Sequence, residues 1–175
     1  MNNVLSFEDH HPDIAADAWV APTALVLGRV TIGAQSSVWY HCVLRGDTNF
    51  IRIGARSNIQ DGTIIHVNRS AEPAIIGDDV TVGHACIIHA CTLENGAFVG
   101  MGATVLDGAV IEAGGMLAAG GLLPPRKRIA AGELWAGSPA KLMRVMGAEE
   151  RVKFARTAVH YCELAQRHGA SLAKT

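Results

Sequence analysis

The stretch Leu93-Glu94-Asn95-Gly96-Ala97-Phe98-Val99-Gly100-Met101-Gly102-Ala103-Thr104-Val105-Leu106-Asp107-Gly108-Ala109-Val110-Ile111 places an aliphatic residue at every sixth position: Leu93, Val99, Val105 and Ile111. The beat continues through Leu117, Leu123 and Ile129 and ends on Trp135. Toward the N-terminus the same spacing gives Val20, Val26, Ile32, Val38 and Leu44, then Ile53, Ile59 and Ile65, then Ile76, Val82 and Ile88. Small residues recur four positions after the beat, as at Ala24, Ser36, Ser57, Thr63, Ala97, Ala103 and Ala109. A period of six fits neither a 3.6-residue helix nor an alternating hairpin meander. It fits a solenoid in which each unit is one flat side and three sides close a coil. Parallel rungs then stack ~4.8 Å apart, each burying its neighbour's aliphatic residue, so stability is a sum over neighbours.

The beat slips three times. Extra residues fall within Arg45–Phe50 and near Asn68–Pro73, and one is missing between Ile88 and Leu93. Insertions in a solenoid leave the coil as loops, often on the functional side. After Trp135 the segment Gly137-Ser138-Pro139-Ala140-Lys141 breaks the pattern, and Glu149 to about Leu164 reads as a helix. Its stripe of Val152, Ala155, Val159 and Cys162 or Gln166 is the face expected to dock. The expected organisation is an N-terminal cap over 1–19, an all-β solenoid over 20–141, and a C-terminal helix and tail over 142–175.

Composition bounds the partners. A formal net charge of −1 over 175 residues argues against a nucleic-acid or anionic-membrane surface. No apolar run reaches the ~20 residues that span a bilayer. The four cysteines form no CxxC pair, and the first residues show no signal peptide. The expectation is a cytoplasmic protein with free thiols.

Register places the chemistry. His66 follows Ile65 and His89 follows Ile88, so these histidines stack one rung apart on the outside of the third side, with Arg45 one rung earlier. Gln60 takes the same outward position on the second side, while Asp61 and His84 stack on each other two places after its aliphatic beat. Two stacked imidazoles can converge on one metal ion. His84 lies on the adjacent side, five residues from His89, a path of up to roughly 16 Å. A homotrimer with sites at its interfaces is therefore expected, His66 and His89 coming from one chain and His84 from the next. His10, His11, His41, His160 and His168 fit no such register and read as surface residues.

The motifs Leu44-Arg45-Gly46-Asp47, Ile53-Gly54, Ser57-Asn58-Ile59-Gln60-Asp61-Gly62, His66, Gly83-His84, His89 and Gly100-Met101-Gly102-Ala103 closely resemble the γ-class carbonic anhydrases and their bacterial relatives. The resemblance covers roughly residues 10 to 145. It implies a left-handed parallel β-helix of hexapeptide repeats, a handedness that sequence physics alone does not supply. It implies Zn2+, or Fe2+ or Co2+, on His66, His84 and His89 at trimer interfaces. It further implies a lyase in which metal-bound hydroxide attacks CO2 to give bicarbonate. Gln60, held by Asn58, would orient the water, and Arg45, Asp47 and Asp61 would form intersubunit salt bridges. Thr48-Asn49 and Val67-Asn68-Arg69 stand where an archaeal member has proton-shuttle glutamates, leaving Glu72 as the nearby carboxylate. Tyr161 matches a tyrosine of bacterial relatives.

Two other functions share the scaffold. A hexapeptide-repeat acyltransferase or acyl-CoA thioesterase would use the Gly137–Lys141 exit and set Arg126-Lys127-Arg128 against CoA phosphates. A non-catalytic trimer would keep a structural metal.

Overall fold

The computed structural model describes residues 3–69 and 72–174. Every beat from Val26 to Ile129 points inward and is at most 1% exposed. Alternation along each short strand does this: one residue of the pair enters the core and its neighbour faces out. The second side is one ladder of Trp19–Val20, Ser37–Val38, Asn58–Ile59, Thr81–Val82, Phe98–Val99, Met116–Leu117 and Glu133–Gly137. The third side runs through Ile64–His66, Ile87–His89, Thr104–Val105 and Leu122–Leu123, and the first through Ala74–Ile76, Thr92–Leu93, Val110–Ile111 and Arg128–Ile129. Two longer strands, Leu25–Ile32 and Val43–Ile53, turn the corner between these sides. The fold is a left-handed parallel β-helix of hexapeptide repeats with about 7 turns and a C-terminal helix.

Small polar residues tie the corners together. The hydroxyls of Ser36, Ser57 and Thr63 donate to the carbonyls of Gly54, Gly77 and Gly83 on the next rung at 2.6, 2.7 and 2.9 Å. The N-terminal segment extends the stack, with Val4–Leu5 paired to Val26 and Leu27 and Asp13–Ile14 paired to Thr31 and Ile32. At the other end Glu133–Gly137 turns back on Ala140–Val145 as an antiparallel hairpin.

Because each rung leans on its neighbours, one core truncation is felt along the stack. Ile88 is fully buried and registered between Ile65 and Val105. Ile88→Ala is expected to lower unfolding stability by about 2–5 kcal/mol, read from a urea titration of metal-free protein. A loss below that range would mean the rungs collapse onto the gap.

The helix runs over Ala148–Leu172, eight residues longer at its C-terminus than the sequence pattern indicates. Its docked face differs in part: Cys162 does meet the solenoid, its Sγ 3.4 Å from Gln35 O, but the valines of the expected stripe do not. Val152 and Val159 are 55% and 58% exposed. The face against the solenoid is Phe154, Ala158, Tyr161, Ala165 and His168. The receiving surface explains this, because the outward positions of the second side carry Trp19, Trp39 and Phe98. Aromatic edges there select aromatic partners: Phe154 meets Phe98 at 5.1 Å, Tyr161 meets Trp39 at 5.2 Å, and His168 meets Trp39 at 5.0 Å. His168 is thus a packed residue, its Nδ1 2.9 Å from the Tyr40 hydroxyl, and not a surface histidine. Among the described residues no helix is long and apolar enough to cross a membrane.

Candidate metal centre

Arg45, His66 and His89 form the outward column that the register predicts, paired Arg45 to His66 and His66 to His89 across successive strands. The two imidazole centroids are 5.2 Å apart, and Nδ1 of His66 lies 3.2 Å from Nε2 of His89. Each ring is held from behind by a carboxylate. The insertion within Val43–Ile53 bulges opposite Arg29, between the pairs Gly28–Gly46 and Val30–Ile51. Such a bulge re-aims a side chain, and here it brings Asp47 to within 3.0 Å of His66 Nε2. Arg45 binds the other Asp47 oxygen. His89 Nδ1 meets Asp107 Oδ1 at 2.5 Å, and the second Asp107 oxygen accepts from Asn68 Nδ2 at 2.7 Å.

Desolvation disfavours the charged form of Asp47, but hydrogen bonds from Arg45 and His66 outweigh it and hold the carboxyl at about 2. At Asp107 desolvation is likewise overcome, by hydrogen bonds from Asn68 and His89, and its pKa is lowered. Both carboxylates are therefore acceptors that need a proton on the facing imidazole nitrogen.

That requirement tests the site for a metal. With Nε2–H of His66 given to Asp47 and Nδ1–H of His89 given to Asp107, the two remaining nitrogens face each other as bare lone pairs at 3.2 Å. Two acceptors this close repel, so either a shared proton that makes one ring an imidazolium or a metal ion lies between them. Two nitrogens bound to one tetrahedral zinc at ~2.05 Å would stand about 3.3 Å apart. The residues fit a divalent ion.

His84 sits elsewhere. It leaves the second side just after Thr81–Val82, at a corner where Ala85 takes a positive φ of 55°. Its Nδ1 lies 2.8 Å from Asp61 Oδ2. Beside it Gln60 is 5% exposed, and its Nε2 donates to Asn58 Oδ1 at 3.0 Å while Asn58 donates to Thr81 Oγ1 at 3.0 Å. Among the described residues one chain gathers no set of three donors at a point. The acidic partners of Arg45 and His84 are in the same chain, Asp47 and Asp61. Tyr161 projects from the helix toward this corner: burial, and then the negative charge of Asp61, push its phenol up. Glu72 lies over the next corner, its Oε1 3.4 Å from the position a Cβ on Gly108 would take.

Asp107 is the site residue that the sequence pattern missed. It stands two places after Val105, one rung below His89 but one position off its column, so a search of the column alone passes over it. Asp107 lies within the unbroken run of the beat, so the count itself carries no signal for it.

Comparison with known proteins gives the family. The chain is 49% identical over 172 residues to the gamma carbonic anhydrase 2, mitochondrial, of Arabidopsis thaliana, covering 95% of this chain and 62% of that protein. It therefore spans about three fifths of the length of that plant relative. It is 38% identical to a carbonic anhydrase of Geobacillus kaustophilus, covering 95% of this chain and 91% of the relative. The chain belongs to the γ-class carbonic anhydrase-like proteins. This family member also superposes on the crystal structure of a hexapeptide transferase family protein from Anaplasma phagocytophilum. There the TM-score is 0.89 and the identity 45%, over 93% of this chain and 96% of that one. No protein-family model matches the γ-class chain.

Proposed function

We propose that three copies assemble around one axis, that His66 and His89 of one copy and His84 of the next hold a divalent metal, and that the centre interconverts CO2 and bicarbonate. The observation that carries this reading is the approach of His66 Nδ1 to His89 Nε2 at 3.2 Å, with a carboxylate behind each ring. Zn2+ is the ion proposed, with Fe2+ or Co2+ as substitutes, since all three accept imidazole ligands. The family relationship supports the reaction.

A second copy has a surface to meet. Ile64 and Ile87, outward on the third side beside the histidines, are 46% and 45% exposed, and Met101 is 59% exposed. Covering this stripe would bring the His84 of one copy to the His66–His89 pair of another at the same height. When bound, the ion makes hydroxide available near neutral pH and stabilises developing negative charge. The chain's own groups do the rest. Asp47 and Asp107 hold the protons of His66 and His89 on the nitrogens turned away from the ion. Gln60, locked by Asn58, orients the attacking water, and Arg45 offsets the Asp47 charge.

The transferase alternative has less support. In the basic turn that would meet CoA phosphates, Arg128 is bonded to Glu112 at 2.6 Å. Measuring metal content alongside stopped-flow CO2 hydration tests the proposal. About one ion per chain, with hydration well above a chelated control, is expected. Gln60→Ala should keep the metal and lose about 10-fold or more in kcat, as loss of a group that positions the attacking water would. Full metal with no hydration would sink the enzymatic reading.

A further inference from the structure

Asp107 sits at the junction of three parts of the chain. Its carboxylate reaches back to His89 through one oxygen, at 2.5 Å, and sideways to Asn68 through the other, at 2.7 Å. Asn68 belongs to the insertion after His66, and its carbonyl accepts from Asn49 Nδ2 at 3.2 Å, in the insertion that carries Asp47. The main chain of Asp107 is itself pinned, because Gly108 N–H donates to Ala90 O at 2.7 Å and Arg126 N–H donates to Asp107 O at 2.9 Å. The insertion after His66 and the rung below His89 therefore meet at one carboxylate, with the insertion that carries Asp47 joined to them through Asn68.

An imidazole is ambiguous: either nitrogen can carry the proton, and the ring can turn to present either one. A carboxylate fixed against Nδ1 removes that choice, since it can only accept. Nε2 is then left as the lone pair, on the side where His66 Nδ1 lies 3.2 Å away. Resting on the metal-site reading above, we propose that Asp107 is the positioning residue of the centre. Through His89 it sets the tautomer that turns Nε2 toward the ion, and through Asn68 it ties that choice to the insertion after His66. Asp107 touches neither substrate nor metal. Asp47 stands behind His66 in the same way, but its second oxygen is held by Arg45, whereas that of Asp107 is held by Asn68.

The test uses full-length protein with Asp107→Ala, Asp107→Asn and Asn68→Ala. Zn2+ affinity is read by competition with a chromophoric chelator, and the His89 ring is read by 15N NMR of the metal-free protein. Wild type is expected to show a proton on His89 Nδ1. Asp107→Ala should lose that single tautomer and bind Zn2+ about 10–100-fold more weakly, the range usual for partners behind a metal ligand. Asn68→Ala should fall between the two. Asp107→Asn keeps the shape and loses the charge, so it reports on positioning even if the alanine variant folds poorly. Unchanged tautomer and unchanged Zn2+ affinity in folded Asp107→Asn and Asp107→Ala would overturn the proposal. Absence of Zn2+ binding by wild type would overturn the metal-site reading instead, while the tautomer measurement would still decide the part played by Asp107.

Discussion

His66→Ala and His84→Ala are each expected to leave the protein without bound metal, and mixing the two variants is expected to restore about a quarter of the sites. The fraction follows from the proposed symmetry. A site needs the His66–His89 pair of one copy and the His84 of the next, so every mixed trimer of the two variants has one intact site out of three. Random equimolar exchange then averages to about one in four. The register makes the experiment sharp, since His66 and His89 pair directly across neighbouring strands while His84 leaves another side and bonds Asp61. Metal analysis after unfolding and refolding the mixture reads the answer. No recovery on mixing would mean that the two kinds of histidine do not meet across an interface.

Ile87→Glu is expected to dissociate the assembly and to strip the metal without unfolding the chain. Ile87 is 45% exposed and points away from the core that Ile88 fills, so the coil itself loses little. At an interface the same substitution buries an unpaired charge against Ile64 and its counterparts, which costs several kcal/mol. Sedimentation should show a shift from three copies to one at micromolar concentration, with circular dichroism unchanged. An Ile87→Glu protein that remains trimeric and metal-loaded would place the interface elsewhere.

How the centre is built explains which parts are legible in the sequence. The column Arg45, His66, His89 follows from counting, because a solenoid converts a six-residue period directly into position. Gln60 is likewise placed by count, while its link to Asn58 comes from the family resemblance and matches their 3.0 Å hydrogen bond. Asp107 was not placed, since its contact with His89 depends on how the corner after Val105 turns. The valine part of the expected helix stripe faces solvent for a related reason. Aliphatic periodicity selected Val152 and Val159, but Trp19, Trp39 and Phe98 on the receiving side select Phe154, Tyr161 and His168.

The sequence by itself determined the inward positions, the order of the rungs and the stacking of the histidines. These follow from short-range alternation and a fixed repeat, which need no knowledge of distant residues. Only the tertiary structure decided which carboxylate stands behind each imidazole, how the insertion bulging opposite Arg29 turns Asp47 onto His66, and which helix face docks. Those outcomes rest on contacts between residues 18 or more positions apart along the chain, such as His89 with Asp107 and Trp39 with Tyr161. Such contacts are set by corner geometry and packing, and neither is written in the local period.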